Sequence, residues 1–115
     1  MTTAVESLSA LAHEGRLKVF RLLVKAGPEG MAAGEVARRL GTPPNTLSAN
    51  LTLLTHAGLA QSRRDGRSII YSARFDRMGE LMAFLVRDCC GGAAEVCAPL
   101  ADAAKRAACV TGRAC

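Results

Sequence analysis

The spacing of apolar residues changes at Gly58, and that change restricts the fold more than any other feature of the chain. Before it, Leu47, Leu51 and Leu54 recur at the i, i+4, i+7 spacing of one helix face. Gly58 is placed to end that helix as a left-handed cap. Beyond it, LAQSRR and SIIYSA flank Asp65-Gly66, a strong short-range signal for a hairpin. Upstream, Val36, Ala37 and Leu40 share one face of GEVARRLG. Gly41-Thr42-Pro43 then separates two short helices, residues about 33–40 and 43–57. Proline suits the start of the second helix, where its missing N–H would have had no partner. A helix, a tight turn, a second helix and a hairpin in direct succession predict a winged helix-turn-helix.

The flanks are helical as well. Val5, Leu8, Leu11 and Ala12 follow Thr2-Thr3, a suitable N-cap, at helical spacing. Leu17, Phe20, Leu23 and Val24 form a second stripe, closed by Gly27-Pro28. The last helix reads DRMGELMAFLVRDCC, with Met78, Leu81, Met82, Leu85 and Val86 as its stripe and Gly91-Gly92 after it. The chain has three Phe, one Tyr and no Trp, so Leu, Val, Ala and Met must build the core. That composition favours packed helices over a large sheet. The expected fold is mainly α with a small β-hairpin. Residues 1–90 form the body and 89–115 a cysteine-rich tail, Ala-rich from Ala98 and either a short helix after Pro99 or without fixed structure. No apolar run approaches the ~20 residues of a membrane span. The N-terminus lacks the basic start and apolar run of a signal peptide, so a cytoplasmic protein without membrane association is expected.

The formal net charge is +5, which favours a polyanionic partner. The second short helix carries Asn45, Thr46, Ser48, Ala49 and Thr52 opposite its leucines, a short, polar, uncharged face. Residues 59–74 hold Arg63, Arg64, Arg67 and Arg74 against one acid, Asp65. Asn and Ser donate to and accept from base edges, and arginines bind phosphate with release of counterions. Each element alone is also an ordinary solvated surface; their order points to double-stranded DNA.

Two stretches are specific. Residues 10–23, ALAHEGRLKVFRLL, and 47–59, LSANLTLLTHAGL, resemble the signature segments of the ArsR/SmtB family of metal-responsive repressors. The resemblance runs from about residue 5 to residue 87. It implies a homodimer through the first and last helices, recognition helices on an inverted-repeat operator, and an inducer that releases the DNA. By position it puts DNA contacts on Asn45, Thr46, Ser48 and Asn50, and wing contacts on Arg64 and Arg67. Position 50 is commonly His in the family.

All five cysteines lie at the C-terminal end: Cys89, Cys90, Cys97, Cys109 and Cys115. In a reducing compartment they are ligands or redox sensors sooner than disulfides. Neighbouring side chains on a regular helix point about 100° apart, so Cys89 and Cys90 need the bend that Gly91-Gly92 permits before both face one centre. Cys97 is near enough to be a third ligand. Three thiolates suit trivalent arsenic or antimony, As(III) or Sb(III), whose lone pair fills the fourth tetrahedral position. Zinc prefers a fourth ligand, which Cys109 could supply. Some family members carry a cysteine box in the first helix of the reading motif; MAAGEVARRL has none. Others pair adjacent cysteines at the end of the last helix with a third soon after. The zinc-type Asp and His pattern is absent from residues 76–90.

Three alternatives stay open. One is a thiol-redox or persulfide-responsive repressor of the same fold, and another is a zinc-responsive one. The third makes Cys89 a small buried hydrophobe, three residues after Val86. An enzyme is not expected: there is no C-x-x-C, no C-x5-R loop and no sequence sign of a Cys–His pair. No organic cofactor is expected. His13 reads as a helix-junction residue, His56 as a cation at a helix end, and Met78 with Met82 as dimer packing.

Overall fold

The structure is a computed structural model that describes residues 2–86, 98–100, 102–103 and 106. In chain order the elements are α1 (Thr2–Leu11), α2 (Glu14–Ala26), β1 (Met31–Ala32), α3 (Ala33–Leu40), α4 (Pro44–His56), β2 (Ala60–Asp65), β3 (Ser68–Ala73) and α5 (Phe75–Val86). The chain divides into two compact units, Met1–Met82 and Ala83–Cys115. In the second unit, residues 98–100, 102–103 and 106 are helical. The expected continuation of the last helix through Cys90 lies outside the described residues.

The core of the first unit is aliphatic, as the composition requires. Val19, Phe20 and Leu23 of α2, Val36 of α3 and Leu47, Leu51 and Leu54 of α4 close around Leu59, Ala60 and Ala73. Leu23, Val36, Leu54 and Leu59 are wholly buried. Each such Leu contributes roughly 1.5–3 kcal/mol relative to an exposed one.

Three expected stripes are corrected. In α2 the inward face is Val19, Phe20 and Leu23, and Leu17 is 42% exposed at its margin. In α1 the buried residues are the small Ser7 and Ala10, whereas Val5 and Leu8 point outward. α1 also takes in Thr2 and Thr3 rather than being capped by them. α5 buries Leu81 and exposes Met82, Leu85 and Val86.

The α1–α2 corner is closed by polar groups. His13 is extended and its Nδ1 accepts the N–H groups of Gly15 at 3.1 Å and Arg16 at 3.4 Å, capping α2. Arg16 Nε in turn donates to the Ala10 carbonyl at 2.7 Å, at the end of α1.

The expected hairpin is present, but the sheet has three antiparallel strands in the order β1-β3-β2. β1 pairs Met31 with Tyr71 and Ala32 with Ile70. Two residues are too few to show alternation, so sequence alone left this segment unassigned. Gly30 delivers the chain to that strand. Its φ is +78°, and a Cβ there would run into the Tyr71 carbonyl oxygen and crowd Ile70 and Ser72. Gly27 has a similar φ of +79° but open space around it.

Gly30→Ala is therefore expected to cost about 1–3 kcal/mol in backbone strain, with the clash on top, whereas Gly27→Ala pays for strain alone. Chemical denaturation of the two variants separates the terms, and the larger loss belongs to Gly30.

Candidate nucleic-acid interface

The candidate DNA-facing surface is built from α3, α4 and the β2–β3 wing. Pro43 stands at the N-cap of α4 with Pro44 in its first turn, so the helix starts with fewer orphan N–H groups. Leu47, Asn50, Leu51 and Leu54 turn inward. Asn45, Thr46, Ser48, Ala49 and Thr52 are exposed together on the outer side. That face presents hydroxyl and amide groups without charge, the chemistry that hydrogen-bonds base edges.

Asn50 is a correction. It is only 6% exposed, so its amide does not share the outer face with Asn45, Thr46 and Ser48. Its Nδ2 lies 3.3 Å from where a Gly15 Cβ would stand, and the His13 ring crowds the same point. Asn50 thus packs α4 onto the start of α2. The sequence held the signal: position 50 is three residues after Leu47 and four before Leu54, on the leucine side.

The wing projects beyond the core. From Gln61 to Asp65 every residue of β2 is exposed. Asp65 pairs with Ser68, so Gly66 and Arg67 form the turn. The four hairpin arginines divide into two classes. Arg63 Nη2 donates to the Glu29 carbonyl at 2.7 Å, fastening the wing to the loop before β1. Arg74 Nη2 bonds Asp76 Oδ2 at 2.7 Å, and that hydrogen bond holds the Asp76 carboxyl below its usual range. Arg64 and Arg67 are exposed, with no hydrogen-bond or ion-pair partner among the described residues. Arg64 faces Ile69 across the ladder, and Ile69 and Tyr71 line a groove shared with Pro44, Leu47 and Ser48 of α4. Arg64 therefore stands on the wing face turned toward α4.

Sequence reasoning passed over one further basic feature. Arg38 and Arg39, in the last turn of α3, both bond Glu35 of its first turn. Hydrogen bonds first from Arg38 and then from Arg39 pull the Glu35 carboxyl from 4.5 to about 2. The two arginine side chains remain 73% and 55% exposed. The consecutive arginines in GEVARRLG were the available signal, and they sit on the first helix of the helix-turn-helix, which in this motif generally crosses the DNA backbone.

Cys89, Cys90 and Cys97 lie outside the described residues, as do Cys109 and Cys115. Among the described residues no group of three or more His, Cys, Asp or Glu is arranged to hold a metal ion. No described helix is long and apolar enough to cross a membrane.

A polar-faced second helix, a tight turn before it and a basic three-stranded wing define a winged helix-turn-helix, an architecture of DNA-binding proteins. A family profile described as "Helix-turn-helix domain" matches residues 11–63. The chain is 32% identical over 82 residues to the HTH-type transcriptional regulator YgaV of Escherichia coli, covering 71% of this chain and 81% of that one. It is 36% identical over 78 residues to nodulation protein NolR of Rhizobium meliloti, covering 68% of this chain but only 62% of NolR. A shorter match, 42% over 60 residues, is to the putative arsenical resistance operon repressor ArsR of Halobacterium salinarum, covering 52% of this chain and 46% of that one. Among solved structures, a homodimeric winged helix-turn-helix DNA-binding domain from Mycobacterium bovis, a possible ArsR-family regulator, superposes with a TM-score of 0.62 at 28% identity, covering 74% of this chain and 77% of that one. The chain belongs to the ArsR/SmtB family of transcriptional regulators.

Asn50 and Ser48 give opposed expectations. Asn50→Ala should lower stability by about 1–3 kcal/mol, because it removes a buried side chain packed between α4 and the start of α2. Ser48→Ala should leave stability within about 0.5 kcal/mol and weaken DNA binding. Thermal melts and fluorescence anisotropy on the same two variants check both.

Proposed function

We propose that this chain is a homodimeric repressor that holds an inverted-repeat operator and releases it when trivalent arsenic or antimony binds its cysteine thiolates. The observation that carries the reading is an adjacent cysteine pair, Cys89-Cys90, followed by Gly91-Gly92 and Cys97, directly after the helix that ends a DNA-binding regulator. All five cysteines of the chain lie from residue 89 onward, and Cys89, Cys90 and Cys97 are the three nearest one another in sequence, a soft-ligand set. The similarity to the putative arsenical resistance operon repressor of Halobacterium salinarum supports the same chemistry.

Asn45, Thr46 and Ser48 read base edges in the major groove. Arg64 and Arg67 contact phosphates or the neighbouring minor groove, with Arg38 and Arg39 on the backbone from α3. Dimerisation is supported by apolar side chains that the fold leaves outside: Val5 and Leu8 on α1, and Met82, Leu85 and Val86 on α5. A dimer places two recognition helices about 34 Å apart, one DNA turn. Ion binding draws Cys89, Cys90 and Cys97 together, disturbs the helix before them and costs the reading heads that spacing. A coupling of about 1–3 kcal/mol changes affinity by roughly 5–150-fold, enough for induction.

Gel shifts on DNA upstream of the gene, titrated in parallel with arsenite, zinc and peroxide, test this reading. Arsenite should release the wild-type protein, and Cys89→Ser should bind DNA normally and ignore arsenite. Release by peroxide that a reductant reverses, with arsenite inert, would transfer the function to thiol redox; release by zinc alone would make the site a Cys₄ one. Arg64→Ala should weaken binding on all sequences and reduce the salt slope by about one.

Met82→Glu should convert the dimer to a monomer in sedimentation velocity. The monomer should keep its helical content, because Met82 is 59% exposed in the single chain.

A further inference from the structure

The α4–β2 corner is where the reading helix and the wing meet, and α5 is attached to it in two ways. The backbone N–H of Arg74, just before α5, donates to the Leu59 carbonyl at 2.8 Å. The second attachment is a side chain. The guanidinium of Arg77 lies flat against Gly58, so close that a Cβ on Gly58 would stand 2.9 Å from Nη2 and 3.0 Å from Cζ. Gly58 is the residue just beyond the C-cap of α4, with φ +81°.

The chemistry of that position explains an arginine there. The C-terminal end of α4 carries the negative pole of its dipole, and a cation in the last turn is favoured. The Arg77 side chain is only 29% exposed and its Nε is 3.9 Å from Glu80 Oε2, so it is held from its own helix while its head rests on the neighbouring one. A planar guanidinium covers a glycine surface that a larger residue would remove. The contact belongs to neither the outer polar face of α4 nor the exposed arginines of the wing.

We propose that Arg77 is a positioning residue: through its guanidinium on Gly58, α5 sets the angle of the recognition helix and wing, and a disturbance of α5 reaches the DNA-reading elements through this contact. The regulatory half of this proposal rests on the arsenite-release reading above; the positioning half does not. α5 is the element that leads, along the chain, to Cys89 and Cys90. The start of α5 meets the end of α4 at the corner that Arg77 covers.

The test compares wild type, Arg77→Ala, Arg77→Met and Arg77→Lys as full-length proteins. Ligand-free binding is measured by anisotropy on the tightest duplex selected from a random library and on a scrambled duplex of equal composition, at several salt concentrations. Arg77→Ala and Arg77→Met should bind the selected duplex roughly 5- to 30-fold more weakly, with little change on the scrambled one and an unchanged salt slope. Arg77→Lys, which keeps a cation at the end of α4, should recover most of the loss. Equal losses on both duplexes with a shallower salt slope would make Arg77 a phosphate contact and overturn the proposal. So would unchanged selectivity, or a loss in every variant that tracks the fraction unfolded at the assay temperature. With arsenite added, the ratio of affinities before and after should shrink in Arg77→Ala. The wild-type factor persisting there would remove Arg77 from the regulatory path. If wild type itself ignores arsenite, the inducer reading fails, and the ligand-free comparison still decides the positioning role.

Discussion

The corner at Leu54–Ala60 organises the rest of the molecule. Leu54 and Leu59 are both wholly buried, and the chain has to reverse direction between them. It does so with paired backbone bonds: Leu59 N–H to the Leu54 carbonyl and Gly58 N–H to the Thr55 carbonyl, both 3.0 Å. This is the bonding pattern of a Schellman cap, and the left-handed residue it needs is Gly58. The two leucines supply the apolar contact that accompanies such caps. The direction of the recognition helix, the point where the wing leaves the core and the place where α5 begins are all set within these few residues. A shift here moves α4, the wing and the start of α5 together.

The positive charge is distributed with the same economy. A net charge of +5 invites a polyanion, but the arginines are not equivalent. Arg16 closes α1, Arg63 ties the wing to the loop before β1, and Arg74 pairs with Asp76. Arg38 and Arg39 share one carboxylate, which holds them in place while leaving a surplus positive charge on α3. Arg64 and Arg67 are left facing solvent on the wing. Structural arginines thus hold the frame on which the exposed ones are presented, and a count of basic residues would overstate the surface available to phosphate.

The outward apolar residues of α1 and α5 reverse the usual reading of an amphipathic helix. A chain of this size has a modest core. It spends small residues, Ser7 and Ala10, on the inside of α1, and leaves Val5 and Leu8 outside. Such a pattern is unfavourable for a solitary protomer and useful for one that meets a copy of itself, since apolar area removed from water contributes about 25 cal/mol per Å².

The succession of elements was legible along the chain because local chemistry dictates it: leucine spacing for α4, Gly58 for its end, the hairpin flanking Asp65-Gly66 and the outer polar face of α4 all follow from contacts a few residues apart. The clustering of the cysteines after the last helix is likewise a property of the sequence alone. What needed the tertiary structure were features made by residues distant in sequence. β1 exists because Tyr71 and Ile70 offer it a partner. Asn50 is buried because the start of α2 lies beside it. Arg63 and Arg74 are engaged while Arg64 and Arg67 are not, because Glu29 and Asp76 happen to lie within reach of the first two. Helical periodicity says which residues share a face, but whether that face meets a core, a partner or water depends on what the rest of the chain brings beside it.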